Sequence, residues 1–161
     1  MLIRLAAIFQ KIEDAILVSL MLAMISLAVF QIFLRNFFDA GIVWADPLVR
    51  VLVLWIGLIG AMAASRTNNH ISIDVISRFL PESVKRFTRL LIYLFTAGVT
   101  ALMAWHSFRF VAMERADGIT AFANVPAWVC EAIIPVAFAI ISARYILFFF
   151  QQLIDNIRQA P

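Results

Sequence analysis

Four stretches of this chain are apolar for long enough to cross a lipid bilayer, and that feature alone excludes nearly every soluble architecture. A spanning helix needs about 20 consecutive, mostly apolar residues. Residues 15–34 meet the requirement with no charge, and residues 48–65 meet it with Arg50 as the one interruption. Residues 90–111 carry His106 and Arg109 near their far end, and residues 127–150 contain Glu131, Pro135 and Arg144. The chain is 64% hydrophobic and 14% charged, against about 45–50% and about 25% in soluble domains. In a chain of 161 residues that excess cannot be hidden in one core, because small proteins leave much of their surface exposed. The expected fold class is an all-α integral membrane protein with four transmembrane helices. Residues 1–161 form one four-span membrane domain, with nothing left over for a soluble one. Arg4 and Lys11 precede the first stretch, but it is too long for the apolar core of a cleaved signal and no small-residue cleavage site follows. It reads as a retained signal-anchor helix.

Lys and Arg in short loops set orientation. Arg4, Lys11, Arg66, Arg78, Lys85, Arg86, Arg89 and Arg158 fall on one side, and Arg35, Arg50 and Arg115, joined by Arg109 if it reaches that far, on the other. Both termini are therefore expected in the cytoplasm, with the loops near residues 35–47 and 112–126 facing outward. Between spans two and three, Ile73, Ile76, Phe79 and Leu80 recur at helical spacing against Ser72, Ser77 and Arg78. The pattern predicts a short helix lying in the membrane interface. Pro81 ends it, and Lys85, Arg86 and Arg89 are expected to anchor the next helix at headgroup level.

Converging polar groups are hard to find. His70 and His106 fall on opposite sides of the membrane and cannot share a haem or a metal. Cys130 is the one cysteine, which excludes an internal disulfide or a cysteine metal cluster. No catalytic, cofactor-binding or metal-binding residues are assigned, so the expectation is a non-enzymatic chain without a cofactor of its own. Glu131 and Arg109 both lie toward the outer surface, where a structural ion pair between them is expected. Arg144 is expected to snorkel to lipid phosphates. Pro135 should kink span four, with neighbours satisfying the freed backbone groups. Mid-membrane there is no ionisable relay of the kind that pumps and exchangers carry.

Packing surface is what the chain does offer. Gly57, Gly60, Ala61 and Ala64 place small residues four apart in span two, and Ala97, Gly98, Ala101 and Ala104 do so in span three. Such spacing lets helix backbones approach closely in lipid, either among these four helices or against a partner. Fifteen phenylalanines, Phe148, Phe149 and Phe150 among them, suggest a broad apolar surface for lipid or for a large partner. Trp44 and Trp128 stand where an aromatic belt would place them. Asp46 and Arg50, one turn apart, suit a local pair ordering the start of span two.

Several residue groups, taken in order, resemble one family. Gln31 and Arg35 close the first span as Gln–x–x–x–Arg. Trp44, Asp46, Leu48 and Arg50 open the second, and Leu54, Trp55, Gly60 and Ala61 form its centre. Arg66, His70, Ile71, Ile73 and Asp74 follow, and Pro126, Trp128 and Pro135 mark the fourth span. The chain resembles, over nearly its whole length, the small membrane subunit of tripartite ATP-independent periplasmic (TRAP) transporters. Pro47 departs from the pattern, standing where many members carry a second acidic residue.

The resemblance implies a subunit of the bacterial inner membrane that partners a large multi-span permease. That permease carries substrate, typically an organic acid, and sodium, while a periplasmic binding protein delivers the substrate. The small subunit is implied to be a scaffold beside a large elevator-type subunit. On this reading Gly57, Gly60, Ala61 and Ala64 meet the large subunit. Trp44, Asp46, Arg50 and Arg35 serve periplasmic docking or hold the outer loop. Nucleic acid is not an expected partner. The competing reading is a stand-alone four-span transporter or channel working as a homo-oligomer, which usually places an acid within its first span; here Glu13 and Asp14 lie only at its edge.

Overall fold

The computed structural model describes residues 2–66 and 82–158. Helix α1 (Leu2–Phe38) leads to α2 (Ala45–Ala64), α3 (Glu82–Asp117), a two-stranded hairpin of β1 (Thr120–Phe122) and β2 (Val125–Pro126), the short α4 (Ala127–Glu131) and α5 (Ile133–Arg158). Four segments are long and apolar enough to cross a membrane, Ile8–Phe38, Ala45–Ala64, Arg86–Asp117 and Ala127–Asn156. Three of them outrun the expected boundaries. Helix formation follows backbone hydrogen bonding rather than apolarity, so a charge such as Glu13 ends an apolar run without ending the helix. The predicted interfacial helix over residues 73–80, with His70 and Asp74, lies outside the described residues.

Two helices bury their sides with a seven-residue periodicity. On α1 the buried or half-buried seam runs Glu13, Leu17, Leu20, Met24, Leu27, Gln31, Leu34, in alternating steps of four and three. On α3 it runs Tyr93, Ala97, Thr100, Ala104, Ser107, Val111, Glu114 in the same steps. A strict seven-residue repeat is the signature of near-aligned helices wound with a left-handed twist. The most extensive packing joins α3 to α5, followed by α1 to α2, and α2 to α5 ties the two pairs together. Between α3 and α5 the seam is thin: Ala97 is buried, and the Ser142 hydroxyl donates to its carbonyl at 3.1 Å. Tyr93 packs there against Tyr145 and Phe148.

The core centres on Ile59, Met62, Ile133, Ala137 and Ile141, with Leu17, Leu20, Trp55, Leu58 and Tyr145 packed around it. Large side chains, by contrast, crowd the outside: Leu22, Ile32, Phe95, Trp105 and Phe108 are all more than half exposed. That inversion is stable only where lipid is the solvent, since such a surface in water would aggregate. Of the three consecutive phenylalanines, Phe148 turns inward to the tyrosines, Phe149 is half-buried and Phe150 faces out.

Local chemistry sets the element ends. Asp39 (φ 45°) takes the left-handed position after α1, and the Ala40 amide donates back to the Leu34 carbonyl, satisfying one of the helix's last open acceptors. Gly118 (φ 65°) takes the same left-handed position after α3. The hairpin turns through Ala123 and Asn124, both at positive φ, as a two-residue mirror-image turn requires. The fourth span is broken at Ala132, between α4 and α5. Pro135 is the cause: it has no N–H for the Glu131 carbonyl and its ring crowds that turn. The Cys130 carbonyl beside the break accepts a hydrogen bond from Trp55 Nε1 at 2.8 Å, as lipid burial demands.

Candidate functional site

The two polar residues on the α1 seam mark its two ends. Glu13 and Gln31 are both buried and lie 18 residues apart, about 27 Å along a helix, close to the roughly 30 Å of a bilayer's hydrocarbon core. Each anchors a separate network.

At the end shared by the N-terminus of α1 and the C-terminus of α5, Glu13 is gripped by two arginines. Arg66 Nε donates to its Oε2 at 2.6 Å, with Nη2 alongside, and Arg144 Nη2 donates to its Oε1 at 2.7 Å. Arg66 also holds Asp14 at 2.7 Å, while Arg144 Nη1 reaches the Met62 carbonyl and the Ser65 hydroxyl. Burial by itself would lower the Arg66 pKa, but the hydrogen bonds and charges of Asp14 and Glu13 outweigh it and hold the pKa above the ordinary arginine value. Arg144 therefore does not reach out to lipid phosphate as expected. A fixed carboxylate and a helix-end carbonyl within reach give it partners that need no snorkelling. The network ties α1, the end of α2 and α5 together.

At the hairpin end, Gln31 clamps the α1–α2 loop from both sides. Its Nε2 donates to the Ile42 carbonyl at 3.2 Å, and its Oε1 accepts from the Ile42 amide at 3.1 Å. Arg35 Nη2 donates to Asp46 Oδ2 at 2.5 Å. The expected Asp46–Arg50 pair is therefore not formed, because Asp46 in the first turn of α2 faces α1 and Arg35 takes its charge. Arg50 is exposed and has no ion pair or hydrogen-bond partner among the described residues. Trp44 sits just before α2, 43% exposed.

A second expected pair also fails. Glu131 makes no ion pair among the described residues; the charge that acts on it is that of Glu114 at the end of α3, and the Oε2 atoms of both are buried without a hydrogen-bond partner there. Arg109 is exposed, on a different face of α3 from the seam that carries Glu114. Arg115 instead stacks over the Trp128 ring, 5.3 Å from its centre. Among the described residues no cluster of three or more His, Cys, Asp or Glu side chains could hold a metal.

The exposed residues of α2 are Asp46, Arg50, Val53, Leu54, Gly57, Ala61 and Ala64. At 100° per residue they share one stripe about 100° wide. Gly60 is half-buried at its margin, and a methyl group placed on Gly57 or Gly60 would meet nothing within 4 Å. Within this chain α2 packs instead through Trp55, Leu58, Ile59 and Met62. On α3, Ala97 is buried, Ala104 half-buried, and Gly98 and Ala101 exposed. Of the expected headgroup anchors at the start of α3, Arg86 is half-buried and Arg89 exposed; the Lys85 side chain lies outside what is described.

Known proteins align with this frame. The family model for the DctQ component of tripartite ATP-independent periplasmic transporters matches residues 24–155. A sialic acid TRAP transporter permease protein, SiaT, of Haemophilus influenzae is 27% identical over 85 residues, 53% of this chain and 14% of that protein. The sialic acid TRAP transporter small permease protein SiaQ of Vibrio cholerae is 31% identical over 78 residues, 48% of this chain and 45% of its own length. The chain thus spans less than half of either relative. A TRAP transporter small permease protein of H. influenzae, itself assigned only putatively, is 25% identical over 153 residues, 89% of this chain and 94% of its own. The four apolar spans and a family match over residues 24–155 lead to one conclusion: the chain belongs to the DctQ component family of TRAP transporters, as a transmembrane small permease.

Proposed function

We propose that this chain is the fixed membrane scaffold beside a large, sodium-coupled, elevator-type TRAP permease that imports an organic acid, and that the two meet along the exposed face of α2. The family is associated with large permease subunits, and the segment resembling this chain occupies 14% of the longer SiaT permease. The observation that carries the reading is the state of Gly57 and Gly60. Small residues are retained in membrane helices where backbones approach closely, yet neither glycine has a neighbour within 4 Å of where its side chain would begin. That close approach is left for another chain. The two polar networks support a rigid part: one ties α1, the end of α2 and α5 together around Glu13, and the other ties α1 to the α1–α2 loop and the start of α2 at the hairpin end.

Sialic acid, named for SiaT and SiaQ, is an organic acid, and the substrate class is carried over from there. In the same reading the membrane is the bacterial inner membrane and both termini are cytoplasmic. The loop clamped by Gln31, with Trp44 and the Arg35–Asp46 pair at its rim, then presents a fixed periplasmic surface on which a substrate-binding protein docks.

The test is recovery of membrane partners with the tagged chain in mild detergent. One large permease in near-equal amount is expected, and Gly57→Leu or Gly60→Leu should abolish its recovery. Recovery of a discrete homo-oligomer without a permease would instead establish a stand-alone transporter. A permease retained by both leucine variants would place the contact elsewhere.

A further inference from the structure

We propose that Arg50 is a docking cation, which receives a carboxylate from the transmembrane helix of the large permease that lies on α2. The inference rests on the scaffold reading above and adds the chemistry of the partner.

Arg50 lines a cleft of about 340 Å³ between α1 and α2, walled by Ala28, Ile32, Arg35 and Asp46. Two cations and one anion line that cleft, an excess of one positive charge. Asp46 is already engaged by Arg35 at 2.5 Å, and Gln31 is used up on both sides by the Ile42 backbone. Arg50 has no partner among the described residues. An unpaired arginine within a membrane span is costly and is normally matched by a charge or a carbonyl, and the described residues supply neither.

The position of Arg50 indicates what does. It stands on the same stripe as Gly57 and Ala61, seven residues from Gly57, or about two helical turns and 10 Å. A helix seated against the glycine runs over Arg50 before it leaves the bilayer. It covers the cleft that a lipid headgroup would otherwise enter. The guanidinium fork matches a carboxylate with two parallel hydrogen bonds, which a lysine ammonium cannot reproduce. The partner helix is therefore apolar where it meets Gly57 and carries Asp or Glu about two turns away, at the hairpin end.

The test uses the full chain with its co-expressed permease. Arg50→Glu should reduce permease recovery by more than about tenfold, Arg50→Gln by about tenfold, and Arg50→Lys by less, since one charge-assisted pair is lost or weakened. Membrane level and monodisperse elution of each variant report folding. A photo-crosslinking residue at position 50 should capture a permease peptide with an acidic residue within one helical turn. This second measurement decides the matter if Arg50→Glu does not accumulate. Loss of the permease on Gly57→Leu but not on Arg50→Glu or Arg50→Gln would overturn this inference and leave the scaffold reading intact. Crosslinking only to lipid, or only to the periplasmic binding protein, would overturn it as well. Retention of the permease by both Gly57→Leu and Gly60→Leu would place the contact away from α2 and overturn this inference with it, whereas recovery of a homo-oligomer without a permease from the parent chain would overturn the scaffold reading itself.

Discussion

Replacing Glu13 by glutamine changes one oxygen for one NH2 and removes the single negative charge that two arginines share. Glu13, Arg66 and Arg144 are 6%, 12% and 17% exposed at the side chain, so water screens the loss little. The carboxylate accepts two charge-assisted hydrogen bonds, at 2.6 and 2.7 Å, each worth about 1.5–3 kcal/mol. Glutamine keeps one acceptor but turns its amide donors toward a guanidinium. Asp14 still serves Arg66, and the Met62 carbonyl and Ser65 hydroxyl still serve Arg144. The expected loss is therefore about 2–4 kcal/mol, below the 3–5 typical of breaking a buried ion pair outright. For a chain of this size it lowers Tm by about 4–16 °C, read by tryptophan fluorescence in mild detergent. A cycle with Arg144→Met should return a coupling above about 1 kcal/mol. A Glu13→Gln melt within about 1 °C of the parent, or a coupling near zero, would refute the claim that this network holds the helices together.

Two further outcomes are expected. Gln31→Leu strands both polar groups of Ile42 and should cost about 1–3 kcal/mol, while a protease site inserted in the α1–α2 loop becomes more readily cut; an unchanged melt and cutting rate would show that the clamp is not needed. Alkaline phosphatase, active only in the periplasm, should be active when fused after Ala40 and inactive when fused after Arg158, and the reverse pattern would invert the orientation assigned here.

How much of this was legible beforehand differs from residue to residue. The number and order of spans follow from apolar runs, because the cost of exposing backbone to lipid leaves a helix as the one outcome for such a run. Gln31, Arg35 and Asp46 were marked by their resemblance to a family pattern, and all three proved to act together. Their partners were not legible, since Arg35 meets Asp46 across a loop that Gln31 closes on the Ile42 backbone. The seven-residue seams of α1 and α3 were also open to a closer reading of spacing: Glu13 and Gln31 stand out on the first as the two polar residues in an otherwise apolar row.

What spacing along the chain could not decide was which charge meets which. Arg109 and Glu131 lie near the same membrane surface, yet the seam of α3 aims Glu114 rather than Arg109 toward α4. Arg144 was expected to reach lipid, and found Glu13 instead because its long side chain spans from α5 to the carboxylate on α1 at that depth. The hairpin escaped notice because Ala123 carries a positive φ that sequence patterns reserve for Asn or Gly. The sequence by itself determined a four-span membrane chain and the small-residue rows able to pack. Tertiary structure decided which of those rows stay open, because the rotation of each helix about its own axis is set by all its neighbours at once, and no local propensity records that angle.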